Sequence, residues 1–176
     1  MLERTPEPEL MVTAAQAQAY ASVDMSALHQ QMIRVFEERF GAMSGGRMLD
    51  LGCGPADISI RFARAFPSIT VLGVDGSEAM LALGRVAIRE AGLDDRITLE
   101  MRYLPDESLE TAAFDAVVAN SLLHHLAQPG VMWRSATRAA TKGAPVLVMD
   151  LHRPSRPETA REIVNKFAHS APALLQ

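Results

Sequence analysis

Apolar residues follow two different spacings along the chain, and the change falls near residue 46. From Thr13 to Phe40 they recur every three or four positions, which predicts an amphipathic helical stretch. Ser22 and Asp24 could cap this stretch internally or break it into two helices. The apolar stripe consists of Met25, Leu28, Met32, Val35, Phe36 and Phe40. Two adjacent glycines at positions 45 and 46 end the helical pattern.

Beyond residue 46, short apolar runs alternate with segments of helical spacing. The predicted strands are Met48–Leu51, Thr70–Val74, Arg96–Met101, Phe114–Ala119 and Val146–Asp150. The predicted helices are a segment with Pro55 in its first turn that runs up to Pro67, a helix capped by Ser77 that ends at Ala91 before Gly92, Pro129–Lys142 and Glu158–His169. Strands two, four and five are continuous apolar runs, which is typical of a sheet buried on both faces. This alternation predicts an α/β fold in three layers, a Rossmann-like open parallel sheet with helices on both faces.

Composition and charge are those of one globular domain. The chain has 176 residues, 48% of them hydrophobic and 22% charged. No apolar run approaches the ~20 residues of a membrane span, and the N-terminus lacks the apolar core of a signal peptide. The single cysteine, Cys53, excludes an internal disulfide and a cysteine-rich zinc site. We expect a soluble, cytoplasmic protein without a metal, and the net charge of −4 disfavours a nucleic-acid partner.

A glycine turn closes the first strand. Gly52 and Gly54 stand one residue apart, which permits a sharp turn and leaves room for a ligand against the main chain. A dinucleotide site of the form G-x-G-x-x-G would have a third glycine where this chain has Asp57. That carboxylate would repel a pyrophosphate. A ligand that carries adenosine but no phosphate therefore fits better.

Polar residues follow the other strands at the sheet edge where open α/β folds bind ligands. Asp75 ends the second strand, about twenty residues past the glycine turn, where an acid can accept hydrogen bonds from ribose hydroxyls. Glu100 and Met101 end the third strand, where they could meet an adenine edge through a carboxylate and a backbone N–H. Asn120 and the residues up to His125 follow the fourth strand and face the same predicted cleft.

Five segments together, MLDLGCGPADI, VLGVDGSEAML, LEMRYLPDESL, FDAVVANSLLHHL and GAPVLVMD, resemble class I S-adenosylmethionine-dependent methyltransferases in order and spacing. The resemblance covers about residues 13–152 and is strongest to enzymes that act on small molecules. It implies a sheet of strand order 3-2-1-4-5, and we expect the family's final hairpin to be missing because only 26 residues follow Asp150. It also implies transfer of a methyl group from S-adenosylmethionine to an O, N or C nucleophile of a small molecule.

The resemblance also assigns cofactor-binding residues. The methionine end would lie at Asp50, Gly52 and Gly54, and the ribose at Asp75 beside Gly76. Glu100, where the family more often has aspartate, would take the adenine amine, with Met101 next to it. Asn120 would offer its backbone carbonyl to the cofactor's amino group. Tyr20 is either part of a lid over the cofactor or an aromatic residue packed on the sheet.

His124 and His125 are the candidate catalytic residues. A neutral imidazole could deprotonate the methyl acceptor, but consecutive residues point in different directions, so we expect only one of the two to face the cleft. The alternative is that they only shape the pocket. Cys53 is expected to be a packing residue. Asp57, Arg61 and Arg64 are expected to form a solvated helix face, with an ion pair between Asp57 and Arg61.

Other interpretations remain open at this point. They are a methyltransferase acting on nucleic acid or protein amines, an NAD(P)-binding oxidoreductase domain, and a cofactor-binding fragment that is catalytically incomplete. We expect a helical lead-in over residues 1–40, a cofactor-binding core over 41–152 and a helical tail over 153–176. The fifth strand would be an apolar sheet edge. It is covered either by a second copy of the chain, through that edge or the tail, or by the chain's own C-terminal helix.

Overall fold

A five-stranded parallel sheet is the centre of the computed structural model, which describes residues 11–152 and 154–168. Its strands are β1 (Gly46–Leu51), β2 (Ile69–Asp75), β3 (Ile97–Met101), β4 (Ala116–Asn120) and β5 (Val146–Met149). The spatial order is β3-β2-β1-β4-β5, and all four neighbouring pairs are parallel. The α/β fold class and the strand order expected from the sequence are therefore confirmed.

Six helices within the described residues accompany the sheet: α1 (Ala14–Ala21), α2 (Ser26–Phe40), α3 (Asp57–Ala65), α4 (Glu78–Ala91), α5 (Gly130–Ala139) and α6 (Pro157–Ala168). Ser77 caps α4 by accepting the Met80 N–H, and Gly92 ends it in a left-handed conformation, as predicted. The break predicted at Ser22 and Asp24 does separate α1 from α2. The last position of the predicted C-terminal helix, His169, lies outside the described residues.

Two apolar clusters hold the helices on opposite faces of the sheet. Met48 and Val118 belong to the cluster under α2, α3 and α4, whereas their neighbours Leu49 and Val117 belong to the cluster under α5. Successive side chains of a strand point to opposite faces, so β1 and β4 supply both clusters at once. This is why these two strands are apolar at nearly every position.

The second helix packs differently from the predicted stripe. Its buried side chains are Met32, Ile33 and Phe36, while Leu28 and Phe40 are exposed. Phe36 contacts Phe62 of α3 edge to face, with ring centroids 5.2 Å apart. The helix thus presents a narrower face to α3 than the stripe suggested, because it packs on another helix rather than directly on the sheet.

Several predicted boundaries were wrong by two or three residues, and β1, for example, begins at Gly46 rather than Met48. The fourth strand begins at Ala116 rather than Phe114, because Phe114 forms an isolated bridge to Ala140. That bridge also ends α5 at Ala139, before the predicted Lys142. Pro55 lies ahead of α3 and not in its first turn, since Ala56 in a left-handed conformation (φ 67°) separates the two.

No helix among the described residues is long and apolar enough to cross a membrane.

Candidate active site

A cleft of about 310 Å³ opens at the carboxyl ends of β1, β2 and β4, and α1 and α2 contribute to its wall. This is the edge of a parallel sheet where the reversal of strand order leaves a crevice. The predicted site residues that line it are Tyr20, Gly52, Gly54, Asp75, Gly76, Asn120 and His125. Asp50, Glu100, Met101 and His124 are not among its lining residues.

The glycine turn has the backbone geometry that only glycine adopts without strain. Gly52 has φ 71°, and a Cβ there would lie 2.9 Å from a methyl group of Leu122. The N–H groups of Gly52 and Cys53 both donate to the Val74 carbonyl, at 2.8 and 3.0 Å. The turn is therefore fixed against β2, and its open side borders the cleft. Cys53 itself is buried, and burial raises the pKa of its thiol, in line with a packing role.

Asp75 connects the end of β2 to that turn. One carboxylate oxygen accepts the Gly54 N–H and the other accepts the Ser77 N–H, both at 2.8 Å. Burial raises the pKa of this carboxyl, although those hydrogen bonds act in the opposite direction. Each carboxylate oxygen retains a second lone pair, so Asp75 can also accept a hydrogen bond from a ligand hydroxyl.

Asp50 lies beneath the turn and not on the cleft surface. It is 1% exposed, and its Oδ2 accepts the Ser59 hydroxyl at 2.6 Å. Its Oδ1 is buried and has no hydrogen-bond partner among the described residues. Desolvation raises the pKa of Asp50 to about 7, and the neighbouring Asp75 charge adds to the shift. The structure therefore places Asp50 as a buried carboxyl below the cleft floor, and its predicted contact with the methionine end of the cofactor stays a prediction.

Residues 102–104 occupy the place that Glu100 and Met101 were expected to take. The Arg102 N–H donates to the Asp75 carbonyl at 2.9 Å, so the chain stays paired with β2 for one residue beyond β3 before it turns into the cleft. The residues that line the cleft are Arg102, Tyr103 and Leu104. Glu100 instead forms an ion pair with the Arg102 guanidinium at 2.6 Å, and Met101 is half-exposed. The sequence shows an acid at the end of the third strand, but it does not show that backbone pairing with β2 continues to Arg102.

Only one of the two histidines after β4 lines the cleft, as expected, but their side chains do not point in different directions, because the ring centroids lie 4.1 Å apart. His125 lines the cleft, whereas His124 Nδ1 lies 2.8 Å from Asp150 Oδ1 at the end of β5. Asp150 also accepts the Leu123 N–H at 2.6 Å. Burial would raise the pKa of Asp150, but these contacts, led by His124, hold it below its usual value. His124 thus braces the loop after β4 against β5.

The sequence did not single out His29 as a site residue. It lies in the first turn of α2 and lines the cleft, with Nδ1 2.6 Å from Asp57 Oδ2. Asp57 also lines the cleft and pairs with Arg61 at 2.7 Å, as the spacing predicted. Partial burial would raise the pKa of Asp57, but hydrogen bonds from His29 and Arg61 outweigh it and lower the pKa. The expectation of a solvated helix face was wrong for Asp57 and Arg61, which are partly buried where α2 packs on α3, whereas Arg64 is exposed as expected.

No group of three or more His, Cys, Asp or Glu side chains in the described part of the chain could hold a metal ion. The polar groups of the cleft are instead hydrogen-bonding groups suited to an organic ligand.

Comparison with known proteins decides the family. Residues 49–146 match the methyltransferase domain family. The chain belongs to this family. The resemblance to class I methyltransferases is thereby confirmed, and S-adenosylmethionine is the cofactor of these enzymes.

Three relatives illustrate the likeness. The demethylmenaquinone methyltransferase of Porphyromonas gingivalis is 32% identical over 108 residues, which cover 61% of this chain and 44% of the relative. A putative S-adenosylmethionine-dependent methyltransferase of Methanococcus maripaludis has the same fold, with a TM-score of 0.73 and 20% identity over 96% of this chain and 76% of that one. Phosphoethanolamine N-methyltransferase 2 of Haemonchus contortus, in complex with S-adenosylmethionine, superposes with a TM-score of 0.70 and 25% identity over 93% and 39%.

This methyltransferase domain spans about half the length of the curated relatives that it matches, from 44% to 52% of the first three.

Proposed function

We propose that this methyltransferase domain binds S-adenosylmethionine in the cleft and transfers its methyl group to an O, N or C nucleophile of a small molecule. The observation that carries the proposal is the pairing of the glycine turn with Asp75, which together form a nucleoside-sized crevice with a hydrogen-bond acceptor on its floor. The family membership and the small-molecule methyltransferases among the relatives support the same reaction.

The residues present fit the cofactor. Asp75 can accept hydrogen bonds from the ribose, and the aromatic and apolar side chains of Tyr103 and Leu104 suit the flat face of adenine. The buried, unpartnered Oδ1 of Asp50 gives the opposite end a carboxyl that a nearby cation would favour in its ionised form. A sulfonium with an ammonium group on its amino-acid end supplies positive charge there.

The bound cofactor supplies an activated methyl group on sulfur, so the chain has little covalent chemistry to perform. Its residues orient the ligand, exclude water and hold the acceptor in line with the methyl at about 3 Å. His125 is the side chain that can accept a proton from an O–H or N–H acceptor, and a carbon nucleophile that is already activated needs no such base. If His125 only shapes the pocket, which is the alternative, the variant His125→Ala should retain nearly full turnover.

Calorimetric titration with S-adenosylmethionine, S-adenosylhomocysteine and NAD tests the proposal. We expect both sulfur ligands to bind and NAD to bind far more weakly, because the Asp57 carboxylate lies at the start of α3, where a pyrophosphate would rest. Binding of NAD as tightly as S-adenosylmethionine would instead favour the oxidoreductase alternative. Binding of the cofactor without turnover on any quinol, amine or carboxylate acceptor would favour a catalytically incomplete fragment.

The assignments of partner and location belong to the same proposal. The acceptor is a small molecule and not a nucleic acid, in line with the net charge of −4, and the location is the cytoplasm. Among the described strands β5 is one edge of the sheet, and a homodimer through that edge or the residues after 157 would cover it. Sedimentation at micromolar concentration distinguishes the dimer from a monomer whose own C-terminal helix covers the edge.

A further inference from the structure

His29 combines three properties that its packing alone does not explain. It lines the cleft, its Nδ1 is held by Asp57 at 2.6 Å, and its Nε2 is buried with no hydrogen-bond partner among the described residues. A buried polar atom without any partner is costly, so such an atom in a natural protein is nearly always paired with an ordered water or a ligand. The side chain is also the last of a chain of contacts, His29–Asp57–Arg61, that fixes its ring in one orientation.

We propose that His29 Nε2 binds the amino-acid end of the cofactor, with Asp57 as the residue that positions the imidazole. This inference rests on the proposed function and extends it to a residue of α2. When the ring is neutral, Nε2 accepts a hydrogen bond from the ammonium group of the ligand. When the ring is protonated, Nε2 donates a hydrogen bond to the ligand's carboxylate.

The orientation of the ligand follows from the two ends of the cleft. With the ribose at Asp75, the rest of an extended ligand runs toward β3 on one side and toward β4 and α2 on the other. The β3 side offers Tyr103 and Leu104, which suit a flat base and not a zwitterion. The α2 side offers the His29–Asp57 pair, and Asp50 lies buried below it. A zwitterionic group, which needs both donors and acceptors, therefore finds its partners at the α2 side.

The position of His29 on α2 gives the contact a second consequence. Asp57 lies in the first turn of α3, so the pair ties α2 to the helix that follows the glycine turn. A ligand that pairs with Nε2 then contacts both helices through one imidazole. Selectivity for a cofactor with an intact amino-acid end over a truncated nucleoside would arise from this residue.

Ligand truncation provides the test. S-adenosylhomocysteine and 5′-methylthioadenosine share the thioether nucleoside, but only the first carries the amino acid. We expect His29→Ala to weaken S-adenosylhomocysteine by about tenfold or more in calorimetry and to leave 5′-methylthioadenosine within about twofold. His152→Ala removes an exposed imidazole that does not line the cleft and serves as the matched control.

Two conservative variants separate ligand contact from a structural role. Glutamine can place a polar group near the position of Nε2, whereas asparagine reaches only about as far as Nδ1. His29→Gln should therefore retain more affinity for S-adenosylhomocysteine than His29→Asn, which keeps only the contact with Asp57. Asp57→Asn should weaken the same ligand by a smaller factor, because it loosens the ring without removing it. Circular dichroism and thermal unfolding verify that each variant is folded.

The outcomes are distinct. Equal loss of both ligands, or rescue by asparagine instead of glutamine, would overturn the inference and leave His29 a structural residue. Unchanged binding of S-adenosylhomocysteine to His29→Ala would overturn it while the proposed function stands. Failure of the unmodified protein to bind S-adenosylhomocysteine would overturn the proposed function as well.

Discussion

Replacement of Asp50 by asparagine should change how stability depends on pH. In the folded protein, burial raises the pKa of this carboxyl to about 7, against an ordinary value of 3.8. The folded state therefore binds more protons than the unfolded state between these two values, and its stability falls as pH rises through that window. A shift of about 3 units corresponds to about 4 kcal/mol lost between pH 4 and pH 7.

Asparagine has nearly the same shape and can still accept the Ser59 hydroxyl, but it cannot ionise. The difference in unfolding free energy between Asp50→Asn and the unmodified protein should therefore grow in favour of the variant by about 4 kcal/mol from pH 4 to pH 7.5. Its steepest slope should be about 1.4 kcal/mol per pH unit. The size of this difference at any single pH is not diagnostic, because the new amide N–H groups of the variant add a cost that does not vary with pH.

Urea unfolding of the ligand-free protein at half-unit pH steps measures this difference directly. Asp94→Asn, at an exposed position far from the turn, is the matched control and should run parallel to the unmodified protein. Parallel curves for Asp50→Asn as well would refute the reasoning, because the buried carboxyl would then titrate equally in the folded and unfolded states.

Three further predictions concern the cleft. Asp75→Ala should weaken S-adenosylmethionine by about 1.5–3 kcal/mol in calorimetry and also lower the melting temperature, because the carboxylate accepts two backbone N–H groups; unchanged affinity in a folded variant would remove it from the ribose site. Gly52→Ala should cost about 1–3 kcal/mol in urea unfolding, since its φ of 71° and the 2.9 Å approach to Leu122 both oppose a Cβ. His124→Ala should raise the pKa of Asp150 toward its usual value, as followed by NMR titration, so that the stability difference from the unmodified protein shrinks as pH falls below about 4; an unshifted Asp150 would show that the brace is not electrostatic.

The helices and strands were predictable because the sequence signals of each one lie within the element or at its ends. Continuous apolar runs marked the buried strands, and Ser77 and Gly92 marked both ends of α4. Errors arose where a distant residue, or a turn conformation that the pattern does not show, decided the outcome. Phe114 reads as the start of a strand, yet its partner is Ala140, and no local pattern shows that the two meet. Pro55 reads as the start of a helix, but the turn needs the left-handed Ala56 first.

The site was predictable only in part, for the same reason. The glycine turn and Asp75 form a motif of fixed spacing, whereas His29 and Asp57 are 28 residues apart and meet only because α2 packs on α3. An isolated histidine in an amphipathic helix gives no sequence signal for such a contact. Glu100 illustrates the opposite case, because its distance from a motif predicted a ligand contact, whereas the structure pairs it with Arg102 and does not place it in the cleft lining.

The strand order has a consequence for how ligand binding and folding are linked. The cleft is assembled from the ends of β1, β2 and β4, which adjoin in the sheet although β4 begins 65 residues after β1 ends. A partly folded chain in which β2 or β4 has not yet paired with β1 thus has no binding site. The ligand therefore stabilises only the complete fold. At a hundred times its dissociation constant, a ligand of this kind adds about 2.7 kcal/mol to the free energy of unfolding. Resistance to proteolysis would therefore rise with cofactor concentration, so that the abundance of the protein in a cell would follow the supply of its ligand.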